Sequence, residues 1–418
     1  MKSSRMRLVA VAVALAIGSS ASNAWAQQTC TGPTGESAAS QGDFACGTGA
    51  AASGGFSSAI GSSAVASGYG SSATGAYSLA SGREATANGV GAYATGDRSV
   101  ATGFGAYASG NKASAMGFGS FAVGDASIAF GAQAYTSGAY GTAVGAIATV
   151  RGTGATAIGA LSGAYGTYAT AVGLGSFAGG NGSTALGAFA ATGGTYSSSM
   201  GFGADAAGAR STALGALSTA YGADGTAVGF HSSASGAGST AMGSGATASG
   251  DNSLASGRNA AATGSNSTAV GAGAHANAAN SVALGAGSVA NRADTISVGT
   301  TADQRQITNV ADGTEAGDAV NLSQLQGLQS RVDDEFSMQD KRISKIGAMG
   351  TALSSMAMNT AGADGNNRIA VGGGFQGGQS AFAVGVQHAF RGTHATVSLS
   401  GAFSNGESSV GVGAGMSW

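Results

Sequence analysis

A glycine returns every 14 residues from Gly47 to Gly299, and a second series lies seven residues out of phase, from Gly54 to Gly264. One repeat length kept without interruption indicates one structural unit stacked many times, because only a solenoid holds such strict register. The two glycine series therefore predict a β-solenoid over residues 47–300, which takes up most of this chain of 418 residues.

Residues within each repeat alternate in size. Before Gly145 the chain reads Thr142-Ala143-Val144, and most repeats have the same small residue two positions before the glycine and a bulky one directly before it. Alternation with a period of two predicts a strand, and small residues after the glycine predict a second one. Each repeat is thus two short strands joined by two tight turns. We expect the alanines inside the coil and the larger residues facing neighbouring subunits.

Polar and aromatic residues follow the same period. Pairs such as Asp97-Arg98 and Asn111-Lys112 come directly after the second glycine. They predict a solvated edge, with a specific ligand site as the alternative. A second column, four residues after the first glycine, is aromatic in the early repeats. Its members are Tyr93, Tyr107, Phe121 and Tyr135. This column fits either a recognition strip or a packing seam between subunits.

Composition argues against several classes of protein. The chain has 77 glycines but one proline, which excludes collagen, and 9% charged residues, too few for a solvated disordered polymer. A net charge of −2 gives no basis for a nucleic-acid partner. The four histidines have no metal-ligand spacing, and the dinucleotide-like run over 372–377 lies in a predicted membrane strand. We predict no catalytic, cofactor-binding or metal site, and no enzyme.

The start of the chain indicates export. A basic opening and a short apolar run precede small residues that end at Ala26, which predicts a secretory signal peptide over 1–26. Residues 27–46 then form an N-terminal segment. Cys30 and Cys46 are the only cysteines. In an oxidising compartment they can pair, contributing about 3 kcal/mol in the chain-entropy model, or remain two free thiols.

The last part of the chain, 358–418, predicts a membrane anchor of four strands. Large apolar residues alternate with very small ones, the pattern of a transmembrane barrel. The predicted outward residues are Ile369, Val371, Phe375, Phe382, Val384, Phe390, Val397, Leu399, Phe403, Val410, Val412 and Trp418. Gly372, Gly385 and Gly413 are predicted to face the lumen. Four strands cannot close a barrel, and open edges in lipid are costly, so three chains with twelve strands are required.

Between the solenoid and the anchor, apolar residues recur at spacings of three and four, which predicts a helix over 325–357. The stripe consists of Leu325, Leu328, Val332, Phe336, Ile343, Ile346, Met349, Leu353 and Met356. It suits a short coiled coil of three helices that continues into the barrel lumen. A single amphipathic helix packed on the barrel is the alternative.

The segments 303–314 (DQRQITNVADGT) and 318–325 (DAVNLSQL) closely resemble the neck of the trimeric autotransporter adhesins, the YadA family. Repeats such as 281–285 (SVALG) resemble the head motif of the same family. The resemblance implies a left-handed parallel β-roll head, a neck over 301–324, a coiled-coil stalk, and an anchor that supports export of its own passenger. Trp418 resembles the C-terminal aromatic residue that outer-membrane proteins present to their insertion machinery.

The function implied is that of a homotrimeric adhesin in the outer membrane of a Gram-negative bacterium. Its expected partners are other copies of itself, the outer membrane with its barrel-insertion machinery, and host matrix or cell-surface ligands, and no cofactor is expected. A structural or ice-binding surface solenoid is the alternative, which paired ranks of threonine would favour. A solenoid polysaccharide lyase would need charged residues clustered in a groove.

Overall fold

A computed structural model describes residues 28–29 and 37–418, so the predicted signal peptide and Cys30 lie outside the described residues. The chain divides into two compact units, one ending at Arg305 and one spanning Gln306–Trp418.

The first unit is a parallel β-solenoid whose strands, numbered β1 to β39 in chain order, belong alternately to two ladders. The odd-numbered ladder consists of β1 Gln28–Thr29, β3 Phe44–Cys46, β5 Ser58–Ile60, β7 Ser72–Thr74, β9 Thr86–Asn88, β11 Val100–Thr102, β13 Ser114–Met116, β15 Ile128–Phe130, β17 Thr142–Val144, β19 Thr156–Ile158, β21 Thr170–Val172, β23 Thr184–Leu186, β25 Ser198–Met200, β27 Thr212–Leu214, β29 Thr226–Val228, β31 Thr240–Met242, β33 Leu254–Ser256, β35 Thr268–Val270, β37 Val282–Leu284 and β39 Ile296–Ser297. The even-numbered ladder consists of β2 Ser37–Ala38, β4 Ala51–Ala52, β6 Val65–Ala66, β8 Leu79–Ala80, β10 Tyr93–Ala94, β12 Tyr107–Ala108, β14 Phe121–Ala122, β16 Tyr135–Thr136, β18 Thr149–Val150, β20 Gly163–Ala164, β22 Phe177–Ala178, β24 Ala191–Thr192, β26 Asp205–Ala206, β28 Thr219–Ala220, β30 Ser233–Ala234, β32 Thr247–Ala248, β34 Ala261–Ala262, β36 His275–Ala276 and β38 Val289–Ala290.

Register follows the repeat length. In the odd ladder Ala143 pairs with Ala157, and in the even ladder Tyr107 pairs with Phe121, in each case 14 residues further along the chain. Equivalent positions of successive repeats therefore stack directly on one another. The predicted stack of two-stranded turns is confirmed, while its left-handed sense stays a prediction.

The two glycine series are required for different physical reasons. Gly145, of the first series, has a φ of +133°, and a Cβ there would lie 2.5 Å from the carbonyl oxygen of Gly159. Gly152, of the second series, needs no unusual φ, but a Cβ would overlap the carbonyl oxygen of Gly166 in the next turn. Glycine is thus required wherever consecutive turns bring their backbones together.

Alanine fills the interior of the coil. Ala143, Ala157 and Ala171 are fully buried, as are most alanines of both ladders. A 14-residue turn is too narrow for larger side chains, and close packing requires that the space be filled. The predicted alanine interior is confirmed.

Specific polar contacts support both ends of the solenoid. Near its start the buried Asp43 carboxylate accepts hydrogen bonds from Ser57 N at 3.0 Å and Ser57 Oγ at 2.8 Å. The ladders already include β1 to β3 before Gly47, where the glycine series begins. Cys46 is disulfide-bonded. Its pairing with Cys30 stays a prediction. At the far end Arg305 donates to Ser288 Oγ at 2.9 Å and to the carbonyl oxygen of Val298 at 2.7 Å.

The second unit contains one long helix and a four-stranded antiparallel sheet. Helix α1 spans Leu322–Ala361, and the strands are β40 Asn367–Gln376, β41 Gln379–Ala389, β42 Ala395–Ser404 and β43 Glu407–Met416, paired in chain order. The four predicted strands and their turns, at Gly377-Gly378, around Gly392 and at Asn405-Gly406, are confirmed. Among the described residues, no helix is long and apolar enough to cross a membrane.

Candidate adhesive face and membrane anchor

The outward surface of the odd ladder, called here the odd face, carries a large apolar side chain before most glycines of the first series. This apolar seam consists of Ile60, Met116, Phe130, Val144, Ile158, Val172, Leu186, Met200, Leu214, Val228, Met242, Val270 and Leu284. In the single chain these residues are half-buried or exposed; Ile158, for example, is 42% exposed. An apolar surface that continues over so many turns exceeds what a soluble monomer normally leaves uncovered. The seam is therefore suited to packing against other copies.

The outward surface of the even ladder, the even face, differs along its length. Its aromatic column, Tyr93, Tyr107, Phe121 and Tyr135, occupies consecutive turns. Ring centroids are 6.3 Å apart between Tyr93 and Tyr107 and 5.9 Å apart between Tyr107 and Phe121. In later turns the same column holds Thr219, Ser233 and Thr247. The predicted column is thus a local stack of partly exposed rings, confined to part of one face.

The polar edge is held together by contacts between its own turns. Asp97 Oδ1 accepts a hydrogen bond from Arg83 N at 3.0 Å, and Arg98 Nε donates to Glu84 Oε2 at 2.9 Å. Further along, Arg210 binds Asp224 through two hydrogen bonds of 2.7 Å, which lowers the pKa of this carboxyl. These exposed pairs match the predicted solvated edge.

No metal site is formed by the described residues, since no group of three or more His, Cys, Asp or Glu side chains could hold an ion.

The neck-like segment preceding α1 is ordered by a capping box. Asn321 accepts a hydrogen bond from Gln324 N at 3.1 Å, while Gln324 Oε1 accepts from Asn321 N and from Gly313 N. Asp318 accepts hydrogen bonds from the backbone of Glu315 and Thr314, which lowers its pKa. The sequence marked this segment as neck-like, but the capping role of Asn321 and Gln324 was missed, although an Asn followed by a Gln three residues later is a recognisable signal.

The outer face of the sheet is apolar. All twelve predicted membrane-facing residues are exposed in the single chain. Ile369, Val386, Leu399 and Val412 lie opposite one another across the four strands. This band is continuous, as contact with lipid requires. That these residues face lipid stays a prediction.

The inner face of the sheet is covered by α1. Ala348, Ala352 and Met356 are buried there. A Cβ at Gly372 would overlap the carbonyl oxygen of Ala352, and one at Gly385 would overlap Met356 Sδ. These two predicted lumen glycines thus lie directly against the helix. The third, Gly413, lies on the same face beside Ser398, with no atom of the helix near it. That Gly413 faces a barrel lumen stays a prediction.

Neither the helix nor the sheet is complete in one chain. In the N-terminal half of α1 the apolar stripe is exposed, with Phe336 at 69%. The outermost strands, β40 and β43, each pair on one side within the described chain. An open sheet edge and an uncovered stripe both require a partner of matching chemistry. These parts define a class of protein, an oligomer in which several identical chains share one membrane-embedded sheet.

Comparison with known proteins agrees with this class. Family models match the coiled stalk of trimeric autotransporter adhesins at 306–348 and the YadA-like membrane anchor domain at 360–418. The YadA head domain repeat matches in 14 segments between residues 52 and 302. The chain therefore belongs to the YadA-like trimeric autotransporter adhesins. Its fold and family are those of an adhesive protein, with an anchor of the outer-membrane type.

One solved structure that matches is the collagen-binding domain of the Yersinia adhesin YadA. It is 25% identical over 56% of this chain and 85% of that chain, with a TM-score of 0.17. At this TM-score the match carries no structural conclusion. A comparison with curated proteins gave no match.

Proposed function

We propose that three copies of this chain share one twelve-stranded barrel in a Gram-negative outer membrane. Their heads attach the cell to host cells or extracellular matrix, and the anchor supports export of its own passenger. The working domains are a signal peptide over 1–26, a head over 47–300, a neck over 301–324, a stalk and lumen helix over 325–357 and an anchor over 358–418. We also propose that the apolar outer face of the sheet contacts the barrel-insertion machinery of the outer membrane.

The observation that carries the adhesive role is the position of the aromatic column. Its rings are not needed for the core, which is alanine, and they lie on the face opposite the apolar seam. The seam is apolar along most of the solenoid and can serve the contacts between chains. The aromatic column lies on the even face, which the seam leaves uncovered. Aromatic residues of this kind contribute much of the binding energy at protein recognition surfaces.

An ice-binding solenoid is not favoured. Thr142, Thr156 and Thr170 form a column, but their neighbours on the odd face are the apolar Val144 and Ile158 rather than a second rank of threonines.

The test compares adhesion of cells that display the full chain. A Tyr107→Ala/Phe121→Ala double variant is compared with the parent on collagen, fibronectin and laminin surfaces. We expect adhesion to at least one surface to fall about tenfold or more, because hot-spot aromatics each contribute a large share of binding energy. Thr219→Ala/Ser233→Ala changes the same column in later turns and is the matched control.

Surface display and trimer content are measured in parallel. Unchanged adhesion of the aromatic double variant would contradict the assignment of this column. So would loss of trimers from the same variant, because the column would then be a packing seam.

A further inference from the structure

A second group of aromatic residues lies on the even face beyond the aromatic column. Tyr165 and Phe177 occupy neighbouring turns with ring centroids 5.3 Å apart, and the Arg151 guanidinium lies 5.1 Å from the centre of the Tyr165 ring. Gly163 and Gly179 take the outward positions beside these rings. These five residues are called here the aromatic platform.

The two glycines let the rings lean over the strand backbone. A Cβ on Gly163 would lie 2.6 Å from a ring carbon of Tyr165, and a Cβ on Gly179 would lie 2.7 Å from one of Phe177. Neither glycine has the positive φ that would demand this residue type. Glycine within a strand weakens it and often marks a bulge, a bend, or the close approach of a ligand or another chain segment. Here the group that comes close is an aromatic ring. The result is a pair of neighbouring, partly exposed rings, with Tyr165 38% and Phe177 44% exposed.

The platform carries one charged group, and hydroxyl groups lie beside it. Arg151 is exposed, and no ion pair among the described residues includes it. The hydroxyls of Thr149 and Ser137 share the even face with it. On the adjoining turns Tyr140, Tyr168 and Tyr196 are each about 70% exposed and adopt φ values between +57° and +59°. The same turn position has a positive φ in other repeats, at Arg98 and Asn252 for example, so this conformation belongs to the turn, and the three tyrosines add exposed aromatic surface beside the platform.

From this geometry we infer that the aromatic platform binds an acidic sugar residue of a surface glycan. A pyranose ring packs its apolar face on Tyr165 and Phe177. Its carboxylate pairs with the planar guanidinium of Arg151, and its hydroxyls bond the neighbouring side chains. The free arginine selects an acidic sugar over a neutral one. The inference rests on the proposed function, in which the head is displayed on the cell surface. It specifies that the ligand is a glycan containing an acidic sugar.

The binding test uses purified full-length trimer in detergent. The probes are an unsulfated chondroitin oligosaccharide, a sialylated oligosaccharide, carboxyl-reduced forms of both, and neutral dextran. We expect at least one carboxylated probe to bind more tightly than its reduced form and than dextran. Tyr165→Ala should weaken that binding about tenfold or more, and Arg151→Gln should remove the preference for the carboxylated form.

Gly163→Thr keeps the fold while changing the platform. Threonine is the residue of this column at Thr149, and only the mobile end of the Tyr165 ring must move to admit it. This variant should also lose at least about tenfold in affinity. Arg210→Gln, which removes an arginine already paired with Asp224, is the control and should bind as the parent does.

Three outcomes would overturn the inference. They are failure of both carboxylated probes to bind above dextran, unchanged affinity of Tyr165→Ala, and dissociation of the trimer in that variant. The matrix-adhesion test changes Tyr107 and Phe121, which lie in earlier turns of the even face than the platform. Loss of adhesion there with intact oligosaccharide binding, or the reverse, therefore separates a failure of one proposal from a failure of the other.

Discussion

At the scale of single residues, the solenoid requires glycine at positions where the next turn leaves no room for a Cβ atom. Gly194 and Gly193 are neighbours in the chain, yet their surroundings are opposite. A Cβ on Gly194 would overlap the carbonyl oxygen of Gly208 in the next turn, whereas the nearest atom to a Cβ on Gly193 is Ala207 Cα at 3.8 Å. Backbone cannot move aside as a flexible side chain can, so the strict 14-residue glycine series reflects steric exclusion between turns.

We expect Gly194→Ala to destabilise the head by about 1–3 kcal/mol per chain, the range for overpacking a close-packed interior. Gly193→Ala makes the same chemical change in open space and should be nearly neutral. The measurement is thermal unfolding of the trimer followed by circular dichroism. Equal melting temperatures for the two variants would show that close contact between turns does not cause the periodicity.

At the scale of elements, the repeats could be predicted well and their exceptions could not. The strands and the alanine interior follow from a period repeated many times, as at Ala143 and Ala157, so a local irregularity cannot obscure it. The aromatic platform was missed because Gly163 and Gly179 look like lapses in the pattern when only letters are read. Both positions are occupied by glycine because an aromatic ring leans over each of them. The position of a ring depends on side-chain conformation, which the spacing of residues does not specify.

Helix α1 shows the same limit. Its apolar stripe predicted a short coiled coil that continues into the barrel lumen. In the structure Met349 and Met356 pack on the sheet of their own chain, while Leu325 and Phe336 are exposed. In one chain the C-terminal half of the stripe is therefore covered by the sheet, while the coiled coil of three helices stays a prediction. A stripe of this spacing specifies that a face is buried, but it does not identify the surface that covers it.

The contact between α1 and β40 gives an element-scale prediction. Gly372→Leu should displace the helix, because the added atoms would overlap Ala352 and Met356. Gly373→Leu adds the same atoms to the other face, where nothing lies within 4 Å. A cost of about 1–2 kcal/mol per chain lowers the ratio of folded to unfolded chain by a factor of about 5–30. We expect the yield of surface-exposed trimer to fall accordingly. Heat-resistant trimer on gels and antibody labelling of intact cells measure that yield.

Comparable display of the two leucine variants would contradict a tightly packed inner face. Reduced display of Gly373→Leu alone would instead identify the outer face as the one packed against protein.

At the scale of the whole molecule, the anchor is the part that cannot work as one chain. Within the described residues its sheet has two open edges, at β40 and β43, and in lipid each unpaired backbone group costs several kcal/mol. The exposed half of α1 adds a second surface that needs partners. We therefore expect membrane insertion and assembly to be one event for this protein, and a chain without these strands to lose its stable anchoring.

Deletion of 351–418 removes every strand of the sheet together with the buried Ala352 and Met356 of α1. The predicted signal peptide is left intact, so the truncated chain should still cross the inner membrane. It should then collect in the periplasm or be degraded, because the solenoid supplies no surface that can close a barrel. Cell fractionation, protease treatment of intact cells and an adhesion assay report these steps separately. Truncated protein that remains anchored at the surface as a trimer would show that the four strands are not the anchor, whereas its absence from the periplasm even in a protease-deficient strain would place the defect in secretion.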